Sequence, residues 1–475
     1  MLKILLASFL FLFSLSCSSQ VPDFDLVGKS FISALNKDTE VTDEEKQVFL
    51  SDGLRTKAGN FLKDMHTRYN NMEYHHTEGR KSAENADAYV LHIYAKSKNK
   101  TMYHDFQVLT EAAAPYKINK IFFIAEVSEP INLPNGDIDN QYTLDWLKNY
   151  ATGLKNKYDL NASILITKGK KVLYEKYDGY QDVKKQILIN KNTKYSIASG
   201  GKMFTAVAIL QLAENGKLKL NDPITKYIKG FADYPKAKKT TIHHLLSHTS
   251  GVGEYWAGQR VEAIEGATDI KPHVKEALSK PYDFEPGTNY QYCNSNFILL
   301  GAIIEKVSKM NFYNYVQKNV FDKSDMTESQ YNSKINTNSI ADRWVRSDAN
   351  ENEWLSLESD WVGTSAGGAI CTISDIAKFS EALRNGSLLS GSSLEKMIKV
   401  QNQPFGKGED YGYGLILENK SGTFSYGHGG TAGGVNFEYR YYPEQDVTFI
   451  IMNNQNNGAY DDLKRNINKL ISGDR

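Results

Sequence analysis

From Met203 to Leu212 the chain reads Met-Phe-Thr-Ala-Val-Ala-Ile-Leu-Gln-Leu, apolar on nearly every face of a helix. A helix with no polar side has no face to give to water, so it must be packed all round. That excludes a small open fold and asks for layers of structure on both sides of it. The 475 residues can supply them, as roughly two or three domains or one large domain with an appendage. At the head of this run stand Ser199-Gly200-Gly201-Lys202. Residues three apart share a helix face, so the Lys202 amine can lie over the Ser199 hydroxyl and hold or take its proton. A serine hydroxyl is a poor nucleophile at neutral pH without such a base. The helix N-terminus adds unpaired N–H groups and the positive dipole end, which suit an anionic intermediate. Ser-x-x-Lys also arises by chance, and Ser247 and Ser250 lie in comparable contexts. The glycines weigh against chance. Each costs about 1 kcal/mol in a helix, a break that implies close approach to the backbone, or a wider floor for a site.

Lys and Arg together number 56, as do Asp and Glu, so there is no electrostatic footprint for nucleic acid or an anionic membrane. Met1 to Ser19 reads as an export signal: Lys3 supplies the positive start, and Ile4 to Leu15 is apolar but too short to cross a bilayer. Ser14-Leu15-Ser16-Cys17 is similar to the lipobox of bacterial lipoproteins, with Ser14 in place of the usual leucine. The similarity implies a lipidated Cys17, with plain cleavage near Ser19 as the alternative, and a periplasmic or outer-membrane-anchored protein with no other membrane contact. Cys293 and Cys371 could form one bridge in an oxidising compartment, but their apolar flanks favour two buried free thiols.

Val21 to about Glu129 reads as a small α+β domain. Helical patterns cover Asp25 to Leu35, a stretch opened by the capping box Thr42-Asp43-Glu44-Glu45, and Lys57 to Tyr69. Strand patterns follow at Ala88 to Ala95, Thr101 to Leu109 and Ile118 to Val127. The arrangement is similar to the cone-shaped domain of the nuclear transport factor and SnoaL superfamily. Such domains bind ligands, or merely dimerise or act as spacers; with no catalytic constellation in view, the dimerising or spacing role is favoured. Residues 130–142, rich in Pro, Asn and Gly, read as a linker.

The remainder, residues 143–475, begins with a helix and a hairpin, Ala162 to Lys168 and Lys171 to Tyr177 around Gly169-Lys170. A mostly helical middle spans Leu218 to Val400. Strands return at Tyr413 to Leu417, Thr423 to Tyr426, Val435 to Tyr441 and Val447 to Met452, before a last helix over Tyr460 to Ile471. A sheet drawn from both ends with helices between implies an α/β/α sandwich with an antiparallel sheet beside an all-helical subdomain.

Two further stretches carry chemistry. Tyr292-x-Asn294 stands where a helix begins after Glu285-Pro286-Gly287. A phenol beside an ammonium has its anion favoured and can act as base, then acid; alone, Tyr292 packing and Asn294 capping is the commoner case. Tyr426-Gly427-His428-Gly429-Gly430-Thr431 is a glycine-rich strand that a ligand could approach closely, or a hairpin turn with His428 at the surface. His243, His244 and His248 raise a metal site, with His244 and His248 four apart in a helical context; but Leu245 occupies the place of the zincin glutamate, and no metal is assigned.

In this order, Ser-x-x-Lys, Tyr-x-Asn and His-Gly-Gly resemble the active-site signature of serine β-lactamases and penicillin-binding-protein-like enzymes. The nearest branch holds class C β-lactamases, D-alanyl-D-alanine carboxypeptidases and related esterases. The resemblance covers about Thr143 to Leu470, including Thr241 to Gly251, Pro286-Gly287-Thr288 and Ser365 to Asp375. It implies Ser199 as the nucleophile of an acyl-enzyme, Lys202 and Tyr292 as bases and proton shuttles, and Asn294 as positioning substrate and lysine. It implies an oxyanion hole of the Ser199 and Thr431 N–H groups, substrate positioning by His428, Gly429 and Gly430, and no cofactor. His428 stands where β-lactamases proper carry a lysine, which removes a fixed cation unless the imidazole is protonated. That, with no acid assignable to deacylation, favours a small ester or peptide over a β-lactam. D-Ala-D-Ala carboxypeptidase or β-lactamase activity, or a non-catalytic binder of cell-wall peptides, are the alternatives.

Overall fold

The structure, a computed structural model, describes residues 24–37, 42, 46, 49–51, 71–81, 88–97, 103–111, 117–127, 133–134, 137–255, 269–331, 339–346, 354–357, 362–401, 410–420, 422–455 and 458–473. The export signal with Cys17, the helix expected over Lys57 to Tyr69, and parts of the Thr42 helix and the linker lie outside these residues. The chain divides into two compact units, Met1–Ala125 and Glu126–Arg475.

In the first unit, α1 (Phe24–Leu35) lies on a sheet of β1 (Met72–Lys81), β2 (Tyr89–Ser97), β3 (Tyr103–Thr110) and β4 (Ile118–Val127), in that order. Phe31, Ile32 and Leu35 of the helix meet Leu91, Ile93, Phe106 and Val108 of the sheet in one apolar cluster. The Phe31 and Phe106 rings meet edge to face at 5.4 Å, a contact worth about 0.5–1.5 kcal/mol beyond its buried area. The hydrophobic pattern does not reveal β1. Its residues are mostly polar, and a register shift at Tyr74/His76 breaks the alternation, as suits an edge strand.

The second unit opens with α2 (Gln141–Tyr158) and the hairpin of β5 (Ala162–Lys168) and β6 (Lys171–Asp178). After β7 (Lys194–Ser196) come α3 (Lys202–Glu214), α4 (Ile242–Leu246), α5 (Asn294–Ser308), β8 (Ile370–Thr372), α6 (Ile373–Arg384) and α7 (Gly391–Met397). The chain ends with β9 (Asp410–Tyr411), β10 (Ile416–Lys420), β11 (Thr423–Ala432), β12 (Val435–Tyr442), β13 (Val447–Asn453) and α8 (Ala459–Ser472). The sheet runs β9-β10-β11-β12-β13-β5-β6, so its first two strands join its last ones through β13 and β5. Helices α2 and α8 touch one another and the sheet, and α6 packs on β5 and β13. All residues of β12 and β13 are buried, as strands covered on both faces must be.

Every residue of α3 from Lys202 to Leu212 is buried, and Phe204 meets Phe321 and Phe379 edge to face at 5.1 and 4.9 Å. The middle is less purely helical than expected. Within it β8 pairs with the earlier β7, and Arg343–Arg346 pairs with Trp354–Leu357. The strand expected from Tyr413 begins at Ile416, because Gly414 turns the chain first with φ 67. Gly391 begins α7 behind its Ser390 cap, and a β-carbon there would meet nothing within 4 Å. Gly391→Ala should therefore raise stability by about 0.5–1 kcal/mol, read as a higher urea midpoint at unchanged slope; a lower midpoint would refute the open space.

Candidate active site

Ser199 sits in a single 3₁₀ turn, Ala198–Gly201, that leads directly into α3. Ala198 before it has φ 42, a left-handed conformation costly for a residue with a β-carbon and found where a site over-determines the backbone. Neighbouring backbone holds the turn. Gly368 donates its N–H to Ala198 O at 2.9 Å, and Gly200 N–H reaches Ile197 O at 2.8 Å. A β-carbon on Gly430 of β11 would stand 2.2 Å from Ile197 O and 3.0 Å from the Ser199 nitrogen. One on Gly200 would meet the Phe437 ring at 2.4 Å, and one on Gly201 would meet Gly367 Cα at 3.1 Å. The Gly200-Gly201 pair therefore admits Phe437 and the Gly367 backbone. Close approach is real, but protein fills the space and the floor is not widened.

Lys202 is fully buried and its Nζ makes hydrogen bonds to Ser199 Oγ at 3.1 Å, Asn294 Oδ1 at 2.7 Å and Ala366 O at 2.7 Å. Burial pulls the amine down to about 7, against the opposing pull of Glu254. An amide oxygen and a carbonyl oxygen can only accept, so each takes one N–H. In the neutral amine the remaining direction, toward Ser199 Oγ, is a lone pair. Nζ also stands 4.8 Å from the centroid of the Tyr292 ring, so the amine meets Tyr292 through the ring face. Ser199, Lys202, Tyr292 and Asn294, from distant parts of the sequence, are thus brought together.

The strand beside them is equally specific. β10 pairs with β11 only as far as Gly427, and β12 pairs with it along Tyr426 to Ala432. The two-residue turn at Gly433-Gly434 makes Ala432 and Val435 the hydrogen-bonded pair, and alternation then turns the Thr431 N–H away from β12. It points off the edge of β11 that β10 leaves uncovered.

A sequence profile of the Beta-lactamase family matches residues 153–473. The chain belongs to the β-lactamase family. Among solved structures, a penicillin-binding protein from Bacillus halodurans is 30% identical, with TM-score 0.60, over 67% of this chain and 98% of that one. Penicillin-binding protein 4* of Bacillus subtilis (strain 168) is 26% identical over 331 residues, 65% of this chain and 71% of that protein. Protein flp of Staphylococcus aureus (strain N315) is 35% identical over 196 residues, and that match spans 41% of this chain and 39% of flp. As a member of the β-lactamase family the chain is a serine hydrolase, as its three motifs imply.

Against the β-lactamase family pattern, His428 is the telling departure, and the structure places it away from the surface. It is buried, and burial with the nearby Lys202 pushes its imidazole down to about 3. Nδ1 bonds to Gly429 O, which can only accept, so that nitrogen carries the proton. Nε2 then accepts from the Tyr411 hydroxyl at 3.1 Å. The imidazole is neutral and supplies no cation.

Two residues that the motifs do not name complete this β-lactamase-type site. His248 lies beyond the end of α4, with φ 58, so the helix face expected for it and His244 does not exist. Its carbonyl accepts from Gln291 N at 2.9 Å, its Nδ1 accepts from Cys293 N at 3.1 Å, and its ring packs on Tyr292 at 4.4 Å. Tyr292 is thus bracketed by one residue, through its backbone carbonyl and its ring. Glu254 Oε2 accepts from the Asn294 backbone N at 2.7 Å and from Asn294 Nδ2 at 3.1 Å. In the sequence His248 and Glu254 stand 44 and 38 residues before Tyr292, too far away for any spacing to tie them to Tyr-x-Asn. Cys293 and Cys371 are free and buried, and burial pushes the Cys293 thiol up to about 12.

Proposed function

We propose that the protein hydrolyses small, uncharged ester, amide or peptide substrates through an acyl-enzyme on Ser199. The observation that carries this is the Lys202 amine, whose two N–H groups are taken by Asn294 Oδ1 and Ala366 O while its third direction meets Ser199 Oγ. The neutral amine takes the serine proton as Oγ attacks the carbonyl carbon. The oxyanion forms beside the Ser199 and Thr431 N–H groups, which suit it as fixed donors. On collapse, Lys202 or Tyr292 returns the proton to the leaving group, and water repeats the sequence against the acyl ester. Neutral His428 supports the uncharged substrate, since it offers a substrate carboxylate no partner charge. The proposed setting is outside the cytoplasm, anchored through Cys17, on the reading of Met1 to Ser19 as an export signal.

The test is short p-nitrophenyl esters followed across pH, with mass analysis of the trapped intermediate. The acyl adduct is expected on the peptide carrying Ser199. Because activity needs the lysine unprotonated and its amine is held at about 7, the rate should rise through half its maximum near that pH. An adduct elsewhere, or none, would sink the proposal. Nitrocefin turnover equal to ester turnover would sink the preference for uncharged substrates.

A further inference from the structure

The geometry points to Glu254 as the positioning residue that decides which end of the Asn294 amide faces Lys202. A primary amide has two ends of nearly the same shape and opposite chemistry. Nothing in Asn294 itself chooses between them. Glu254 does: its carboxylate can only accept, and Oε2 takes Nδ2–H at 3.1 Å while also taking the Asn294 backbone N–H at 2.7 Å. The backbone bond anchors the carboxylate at the start of α5, and the side-chain bond turns Oδ1 to Lys202 Nζ at 2.7 Å. In the opposite orientation Nδ2 would donate to the lysine's lone pair. That would occupy the electron pair meant for the Ser199 proton.

Glu254 has a second, electrostatic effect of known sign. Its charge favours the protonated amine while burial disfavours it; the neighbouring Cys293 thiol, pushed up to about 12, is neutral where the amine titrates. The other groups facing Nζ are the rings of Tyr292 at 4.8 Å and Phe297 at 5.7 Å, and two buried imidazoles, His248 and His428, both held neutral. Glu254 is thus the carboxylate that opposes the burial of Lys202. It orients the partner of the base and keeps the amine from titrating too low.

This rests on Lys202 acting as the base of Ser199, so the experiment has two arms. In the first, labelling of the full chain by a fluorophosphonate is followed against pH, with Ser199→Ala as the blank. Glu254→Gln should move the acid limb about one pH unit lower and lower the alkaline plateau about tenfold. Glu254→Asp keeps the charge, so its limb should stay with the wild type. An unshifted limb in Glu254→Gln overturns the inference even if the plateau falls, since mere structural damage would do that. A limb displaced equally in Glu254→Asp also overturns it, and that variant decides the matter if Glu254→Gln does not fold. The second arm titrates Lys202 directly by NMR of 13C-lysine-labelled protein, assigned through Lys202→Arg. If wild type labels no better than Ser199→Ala, the hydrolase reading fails alone. An unchanged Lys202 titration in Glu254→Gln would then overturn the role given to Glu254.

Discussion

Lys202→Met should slow acylation of Ser199 by about 10³–10⁴-fold, near the upper end of what a positioned general base contributes. The stability of the same variant tests the site independently. Lys202 is fully buried, and its amine is held at about 7, against about 10.4 in an unfolded chain. Below pH 7 both states are protonated, and the folded state carries the desolvation cost in full. As pH rises from 7 to about 10.4 the unfolded chain binds more protons than the folded one, so stability rises with pH. The shift corresponds to at most about 4–5 kcal/mol. Methionine abolishes that slope, while leaving Asn294 Oδ1 and Ala366 O without their donor. Wild type should therefore gain a few kcal/mol on the variant between about pH 7 and 10 in paired urea titrations. Parallel curves would mean that the amine is not buried in its charged form.

Gly430→Ala should cost nearly as much by a different route. The added carbon would lie 2.2 Å from Ile197 O and 3.0 Å from the Ser199 nitrogen, both backbone atoms that cannot swing aside. Either β11 or the serine turn must shift, and overpacking of this kind costs about 1–3 kcal/mol. The shift moves the Ser199 N–H relative to Thr431, and misplacing one oxyanion donor costs about 10²–10³ in rate. A lower melting temperature and a rate loss of that order are expected together, at an unchanged acid limb. Wild-type turnover in a folded Gly430→Ala protein would show that β11 does not brace the nucleophile.

The residues proposed to handle the proton were legible because acyl transfer demands particular side chains at particular offsets. Ser199, Lys202, Tyr292 and Asn294 announce themselves in this way, and the buried α3 announces itself by having no polar face. Glu254 and His248 did not, because they act on the backbone and side chains of Tyr292 to Asn294 rather than on substrate. Any acceptor of the right reach would fill those places, so no residue type marks them in advance. The Gly200-Gly201 pair signalled close approach correctly, but a sequence cannot say whether ligand or protein arrives, and here it is Phe437 and Gly367. Short elements failed for another reason. β7 and β8 have three residues each, too few for a period to show, and β1 is a polar strand whose alternation is broken by a bulge.

The pairing of β13 with β5 has a consequence for how the protein comes into being. Val447 lies opposite Lys168 and Asn453 opposite Ala162, so the sheet is closed by two strands that lie far apart in the sequence. Contacts this remote in sequence form late and slowly. Until β11 and β12 are in place, the serine turn lacks Gly430 and Phe437 to press against.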